Sequence, residues 1–300
     1  YEIAQCLVGS EMCIRDSYLP IRGRCFSMTE QVSKKQAVVV QGNELIVETS
    51  NSMKMNQLKI LYFLMSCIER EDELFFPIEV DYKTLLAIIN YDSNKGGKKA
   101  YLTDLLEDMA QKSYYIYNKE RITVFPWFGC IQIDRDIENG KALFKFNEDL
   151  SKYLLQQTRN FTQYQFGFVS TLSSSYAIKL YNLLRSFAYV GSVDFTLERL
   201  RKSLNLLNTK TGVDRYKDFK SLSKSVLSGA VEEINACTDI MVSYTPIKST
   251  EDKRKTVGIH FEINHRATAL AKGVPQVEAE LVQREAFSRP VRRVFLKKTS

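Results

Sequence analysis

An α+β protein built from two tandem copies of one module is the fold class this sequence predicts. Two short motifs recur in the same order: Leu61-Tyr62-Phe63-Leu64 as Leu180-Tyr181-Asn182-Leu183, and Val80-Asp81-Tyr82 as Val193-Asp194-Phe195. Each copy continues with a short helical stretch and then a longer one with a lysine-rich start. Segments rich in β-branched and aromatic residues close each copy, as strands do.

The second copy shows the elements most clearly. Ala177, Leu180, Tyr181, Leu184, Phe187 and Ala188 fall on one face of a helix, which Gly191 ends. Residues 193–195 read as a strand and 196–204 as a short helix with Leu197, Leu200 and Leu204 inward. A turn with Asn208 and Gly212 leads to a long apolar stripe, Phe219, Leu222, Val226, Leu227, Ala230, Val231 and Ile234. Strands over 240–244 and 257–263 flank a polar tip. The order helix, strand, helix, helix, strand, wing, strand is that of a winged helix, a helix-turn-helix with an appended β-hairpin. In the first copy the matching helices span 53–69, 82–90 and 98–112. Its strands lie near 76–80, 114–117, 121–125, 128–133 and 142–146, with Asn139-Gly140 as a turn, so a larger sheet is expected there.

At 300 residues, 44% hydrophobic and 26% charged, the chain has the composition of an ordinary globular protein, which excludes disordered, collagen-like and coiled-coil classes. No apolar run approaches the roughly 18 residues of a membrane span. The net charge of +7 is unevenly placed. Residues 1–27 are neutral and residues 28–169 carry −2, whereas residues 170–266 carry +5 and residues 267–300 carry +4. A one-signed field concentrated in one half points to a polyanionic partner.

Gly9 to Ser17 reads GSEMCIRDS, which resembles one reading frame of a transposase adapter used in sequencing-library preparation. Residues 1–27 are therefore expected to be adapter-derived and the natural frame to begin at Met28. The expected organisation is an N-terminal winged-helix domain over 28–169, a C-terminal one over 170–266, and a basic tail over 267–300. Arg284, Arg289, Arg292, Arg293, Lys297 and Lys298 mark that tail as disordered or as a nonspecific phosphate binder. Beyond residue 27 the cysteines are Cys67, Cys130 and Cys237, each among apolar neighbours, with no C-x-x-C pair. No metal site, cofactor or disulfide compartment is implied, and with no secretory signal the expected location is the cytoplasm.

The helix starting near Phe219 carries Lys217, Lys220, Ser221, Lys224 and Ser228 opposite its apolar stripe. Spacings of three and four gather these ammonium and hydroxyl groups on one outward face, mostly in the N-terminal two turns, where a recognition helix meets DNA. Arg215 precedes it, and Lys253, Arg254 and Lys255 tip the wing, placed for phosphate contacts. In the first copy the corresponding set is Lys95, Lys98, Lys99 and Tyr101 after Gly96-Gly97. Asp104, Glu107 and Asp108 follow, so that copy is expected to contribute less to DNA and more to dimerisation.

No catalytic constellation emerges. His260 and His265 are five residues apart and would face opposite sides of a strand, unlike the paired histidines of a strand-nicking enzyme. Gly97-Lys98-Lys99 lacks the earlier glycine and the hydroxyl of a nucleotide-binding loop. Glu69 to Glu73 reads as a solvated helix end. Two alternatives stay open: a nicking initiator with a nucleophilic tyrosine such as Tyr176, and a winged-helix repressor with no part in replication.

Four segments resemble the plasmid replication initiators, the iteron-binding Rep proteins of theta-replicating plasmids and small circular replicons. They are Asn43-Glu44-Leu45-Ile46, Phe161-Thr162-x-Tyr164, Ser175-Tyr176-Ala177-Ile178-Lys179-Leu180-Tyr181-x-Leu183-Leu184 and Glu233-Ile234-Asn235, and the resemblance runs from about Val38 to Asn264. The family usually has arginine where Lys179 stands. The resemblance implies tandem winged helices, with the C-terminal recognition helix in the major groove of a directly repeated origin sequence. It also implies initiation by monomers, autorepression at an inverted repeat by dimers joined through the N-terminal domain, and recruitment of a host initiator and replicative helicase.

Overall fold

A computed structural model of the chain describes residues 37–91, 97–117, 120–135, 140–206, 216, 218–266, 277–282 and 290–296. The proposed adapter-derived segment lies outside them.

The first module opens with β1 (Val38–Gly42), α1 (Asn43–Val47) and β2 (Thr49–Asn51). Helix α2 (Met55–Ser66) follows, its first turn closed by Gln57 Oε1, which accepts from the Lys54 backbone N–H at 2.9 Å. Every residue from Gln57 to Met65 is buried. A helix so apolar around its circumference belongs inside a protein, and α2 packs against β1, α3 (Tyr82–Ile88) and α4 (Lys98–Ala110). Strand β3 (Ile78–Asp81) leads straight into α3, because Asp81 at its end caps that helix by accepting from Thr84 N at 2.8 Å.

The strands that follow are β4 (Ser113–Tyr117), β5 (Ile122–Pro126), β6 (Phe128–Ile133) and β7 (Lys141–Phe146). They do not make one larger sheet. Strands β4 and β5 form a hairpin that pairs with β2, while β6 and β7 pair with β3 in the order β3-β7-β6. Tyr114 ties the hairpin to the main core: its side chain is fully buried, stacked on Phe125 and tilted against Trp127. Helix α5 (Ser151–Leu154), β8 (Phe161–Gln165), which pairs antiparallel with β1, and α6 (Phe166–Thr171) complete the module.

The second module comprises α7 (Ser175–Arg185), β9 (Ser192–Thr196), α8 (Leu197–Ser203), a long helix α9 (residues 219–237), β10 (Ile240–Lys248) and β11 (Thr256–His265). Its sheet order, β10-β11-β9, reproduces β6-β7-β3, and that equivalence is the structural form of the sequence repeat. The register of the repeat differs from the motif match by two residues. Thr196 caps α8 as Asp81 caps α3, and Phe195 is buried where Val80 is. Val80 therefore corresponds to Phe195 rather than Val193; a slip of two keeps the alternation of faces and left the motif looking aligned. Gly258 of β11 is needed where it pairs with β9, since a Cβ there would lie 2.8 Å from the Phe195 carbonyl oxygen.

The stretch from Ala267 is not simply a disordered tail. Strand β12 (Val277–Val282) pairs with β13 (Val291–Leu296), and β13 adds in parallel to β3, extending the first module's sheet to β12-β13-β3-β7-β6. Val291 and Val294 are fully buried, which supplies the apolar reason for docking. Helix α2 ends at Ser66, so Glu69 to Glu73 is no helix end. Asp72 of that run is half-buried against Arg292.

Candidate nucleic-acid interface

The outward face of α9 is built from its cap inward. Asp218 accepts from Ser221 N at 2.8 Å and from the Ser221 hydroxyl at 2.7 Å, and these bonds hold its carboxyl below the usual carboxylate range. Leu222, Val226, Leu227, Ala230, Val231 and Ile234 are buried, as the stripe requires. The helix contains a π-turn over Ser223–Leu227 between α-helical ends. Ser225 and Gly229, absent from the regular-helix reading, are exposed beside Lys224. Lys220 and Lys224 are exposed, and among the described residues neither makes an ion pair. Ser221 spends its hydroxyl on the cap, and half-buried Ser228 donates to Glu232 Oε1 at 3.2 Å. Glu233 turns back instead, accepting from Ser173 N and its hydroxyl at 2.5 Å each.

The wing is fixed to this helix. Ser223 Oγ and Tyr244 OH, on β10, lie 2.8 Å apart, and Asn235 brackets Val242 with bonds of 2.9 and 2.6 Å to its carbonyl and N–H. The tip is closed by Ser249 N donating to the Lys255 carbonyl at 2.9 Å, and it leaves Lys253, Arg254 and Lys255 exposed without an ion pair among the described residues. Arg201 of α8 donates to the Tyr216 carbonyl at 2.9 Å, tying the start of α9 to the preceding helix. Arg215 and Lys217 lie outside the described residues, as does Lys95.

The first module's counterpart, α4, presents a different surface. Gly97 caps it at φ +77°, a left-handed conformation suited to glycine. Lys98 is half-buried, and Lys99 Nζ donates to the Arg135 carbonyl at 2.8 Å. Tyr101, expected on the outward face, turns inward: its ring packs on Tyr91 at 4.9 Å, and its hydroxyl accepts from Asn56 Nδ2 at 2.6 Å. Asp104 and Glu107 are exposed, and Asp108 is held below the usual carboxylate range, first by Lys112, 2.6 Å away, and also by Gln57. The exposed side chains of that face include the carboxylates of Asp104 and Glu107.

His260 Nδ1 and Asp194 Oδ1 are 2.6 Å apart across β9 and β11. Among the described residues no group of His, Cys, Asp and Glu is arranged to hold a metal ion, and no helix is long and apolar enough to cross a membrane. Burial pushes the Cys67 thiol up to about 12, which keeps it un-ionised and unreactive.

Two winged helices in tandem, the second with a cationic helix face and a cationic wing, define the class of protein. Residues 38–185 match the family model described as initiator replication protein, WH1, and residues 196–263 match that of the initiator Rep protein, WH2. The chain belongs to the initiator replication protein family. A comparison with curated proteins yields no match. Among solved structures, the chain is similar to the crystal structure of Pi initiator protein in complex with iteron DNA. The TM-score is 0.63 at 18% identity, over 78% of this chain and all of that one, a likeness of fold.

Proposed function

We propose that this replication initiator binds directly repeated double-stranded DNA, the iterons of a plasmid origin, through its second module. Helix α9 enters the major groove and the wing grips the flanking phosphates. The observation that carries this reading is the Ser223–Tyr244 contact, which holds the cationic wing in fixed relation to the helix bearing Lys220 and Lys224. The acidic face of α4 supports a secondary DNA contact for the first module, which contributes more to joining the dimers that repress the protein's own gene at an inverted repeat. Monomers start theta replication in the bacterial cytoplasm by recruiting a host initiator and replicative helicase, and the chain itself performs no covalent chemistry.

Footprinting on the cognate origin tests this. Two modules on successive turns of one DNA face protect about 20 base pairs per repeat, and protection confined to one turn overturns engagement by both. Incubation with supercoiled origin DNA and a divalent cation leaves that DNA unnicked; a covalent protein–DNA adduct would establish the nicking alternative. Plasmid maintenance from that origin, lost without the protein, separates an initiator from a repressor.

A further inference from the structure

Strand β13 reaches the first module through a charged clamp. Its backbone follows β3 in parallel, with Arg292 N donating to the Pro77 carbonyl at 2.7 Å. The Arg292 guanidinium, 2% exposed, grips Asp72 with bonds of 2.9 and 3.0 Å, donates to the Cys67 carbonyl, and lies 3.9 Å from Glu69. Arg293 Nε donates to Glu79 at 2.9 Å, a carboxylate that Lys141 also contacts at 3.1 Å.

The winged helix does not need this strand. In the second module the sheet ends at β9, the counterpart of β3, with nothing added beyond it among the described residues. Strand β13 is thus an added ligand on a complete sheet edge, and the edge is selective. Glu79 lies on β3, where Lys141 also pairs with it, and Glu69 and Asp72 lie in the segment before it, so a strand carrying adjacent arginines fits this edge.

We propose that the acidic outer edge of β3 is an interface between copies of this chain: it takes the Val291–Leu296 strand of a second copy in place of its own, giving a reciprocally exchanged dimer. Every contact made within one chain is then remade between two, so protein concentration sets the balance. This deepens the dimer reading given above by naming the surface and its occupant.

Two charge reversals in the full-length protein test it. In Asp72→Arg the edge repels the native strand, and in Arg292→Asp the strand is repelled by the native edge, so neither variant can seat its own strand. Each is expected to sediment as a monomer with an intact circular-dichroism spectrum and unchanged origin-DNA binding. Mixed one to one, the Asp72→Arg edge meets the Arg292→Asp strand and the native edge meets the native strand, and a heterodimer is expected with a dissociation constant at least roughly tenfold below the self-association of either variant. A mixture that stays monomeric overturns the proposal. Single variants that dimerise as strongly as the natural sequence also overturn it while leaving dimerisation by the N-terminal module standing. The double variant, with both charges reversed, regains the natural behaviour if the clamp is the determinant.

Discussion

The Tyr62 hydroxyl, at the centre of α2 in the first module, accepts a hydrogen bond of 2.9 Å from Asn182 Nδ2 on α7 of the second. These residues sit in the two copies of the repeated tetrad, so the helices that carry the repeat are the ones that meet. Asn182 Oδ1 in turn accepts from Gln41 Nε2 at 2.6 Å and from Tyr164 OH at 3.0 Å. All four side chains are buried, and burial pushes the Tyr62 and Tyr164 hydroxyls well above the ordinary tyrosine range, so they remain protonated.

Replacing Asn182 with Ala takes the donor from the buried Tyr62 hydroxyl and leaves Gln41 and Tyr164 only their mutual bond of 3.0 Å. The expected loss is about 2–4 kcal/mol in urea unfolding, against about 1 kcal/mol for Tyr62→Phe, which removes a single acceptor. The double variant should cost less than the sum of the two, because each removes the other's partner. Strict additivity would show that the modules are not coupled through this pair.

How much of this was legible in the sequence follows from the kind of signal each feature leaves. Amphipathic periodicity located α7, α8 and the buried stripe of α9, because one face of each meets the core. The tetrad revealed the repeat, since it lies on a buried helix in both copies. The π-turn left no trace: a stripe at regular spacing fits an α-helix, and only the backbone shows Ser225 and Gly229 on the outer face. Tyr101 was misplaced because an aromatic beside lysines suits a DNA face and a core alike; Tyr91 and Asn56, distant in sequence, decide it. The docking of Arg292 on Asp72 joins residues 220 apart and has no local signature.

Lys179 gives a pH dependence of definite sign. Its ammonium donates to the Asn51 carbonyl at 2.9 Å between the modules, and burial lowers its pKa to about 8. The unfolded chain keeps this proton until about pH 10. Between those values the unfolded state binds more protons, so the contribution of Lys179 to stability rises with pH. Lys59, bonded to the Ser170 carbonyl at 2.8 Å and also lowered by burial, though Glu233 opposes the shift, adds in the same direction. An arginine stays charged throughout. The urea midpoint of the natural sequence should therefore gain on that of Lys179→Arg as pH is raised from roughly 8 to 10, and parallel profiles would show that Lys179 does not set the pH dependence.

On α9 and the wing, affinity and sequence discrimination should separate. Lys220→Ala with Lys224→Ala removes two exposed cations without touching the core, so stability should move by no more than about 0.5 kcal/mol. Specific binding should weaken, and the slope of log affinity against log salt should fall by about one unit for each phosphate that is no longer neutralised. Replacing Lys253, Arg254 and Lys255 together with Ala should weaken cognate and random DNA by the same factor, since wing contacts to phosphate carry no base information. A selective loss on cognate DNA would place the wing tip against base edges.

The first module supplies a contrast in which charge and packing can be told apart. Tyr101→Phe removes the hydroxyl that accepts from Asn56 but keeps the ring on Tyr91, so it should cost about 1 kcal/mol of stability and leave DNA affinity unchanged. Asp104 and Glu107 are exposed, and reversing both to Lys replaces an acidic stripe on α4 with a basic one at little structural cost. Binding to random duplex should then tighten, and the salt slope should steepen by up to about two units, because the added cations displace counterions wherever α4 approaches the backbone. If Tyr101→Phe instead weakens DNA binding while stability is retained, the hydroxyl serves the nucleic acid rather than the fold, and the inward reading of α4 fails.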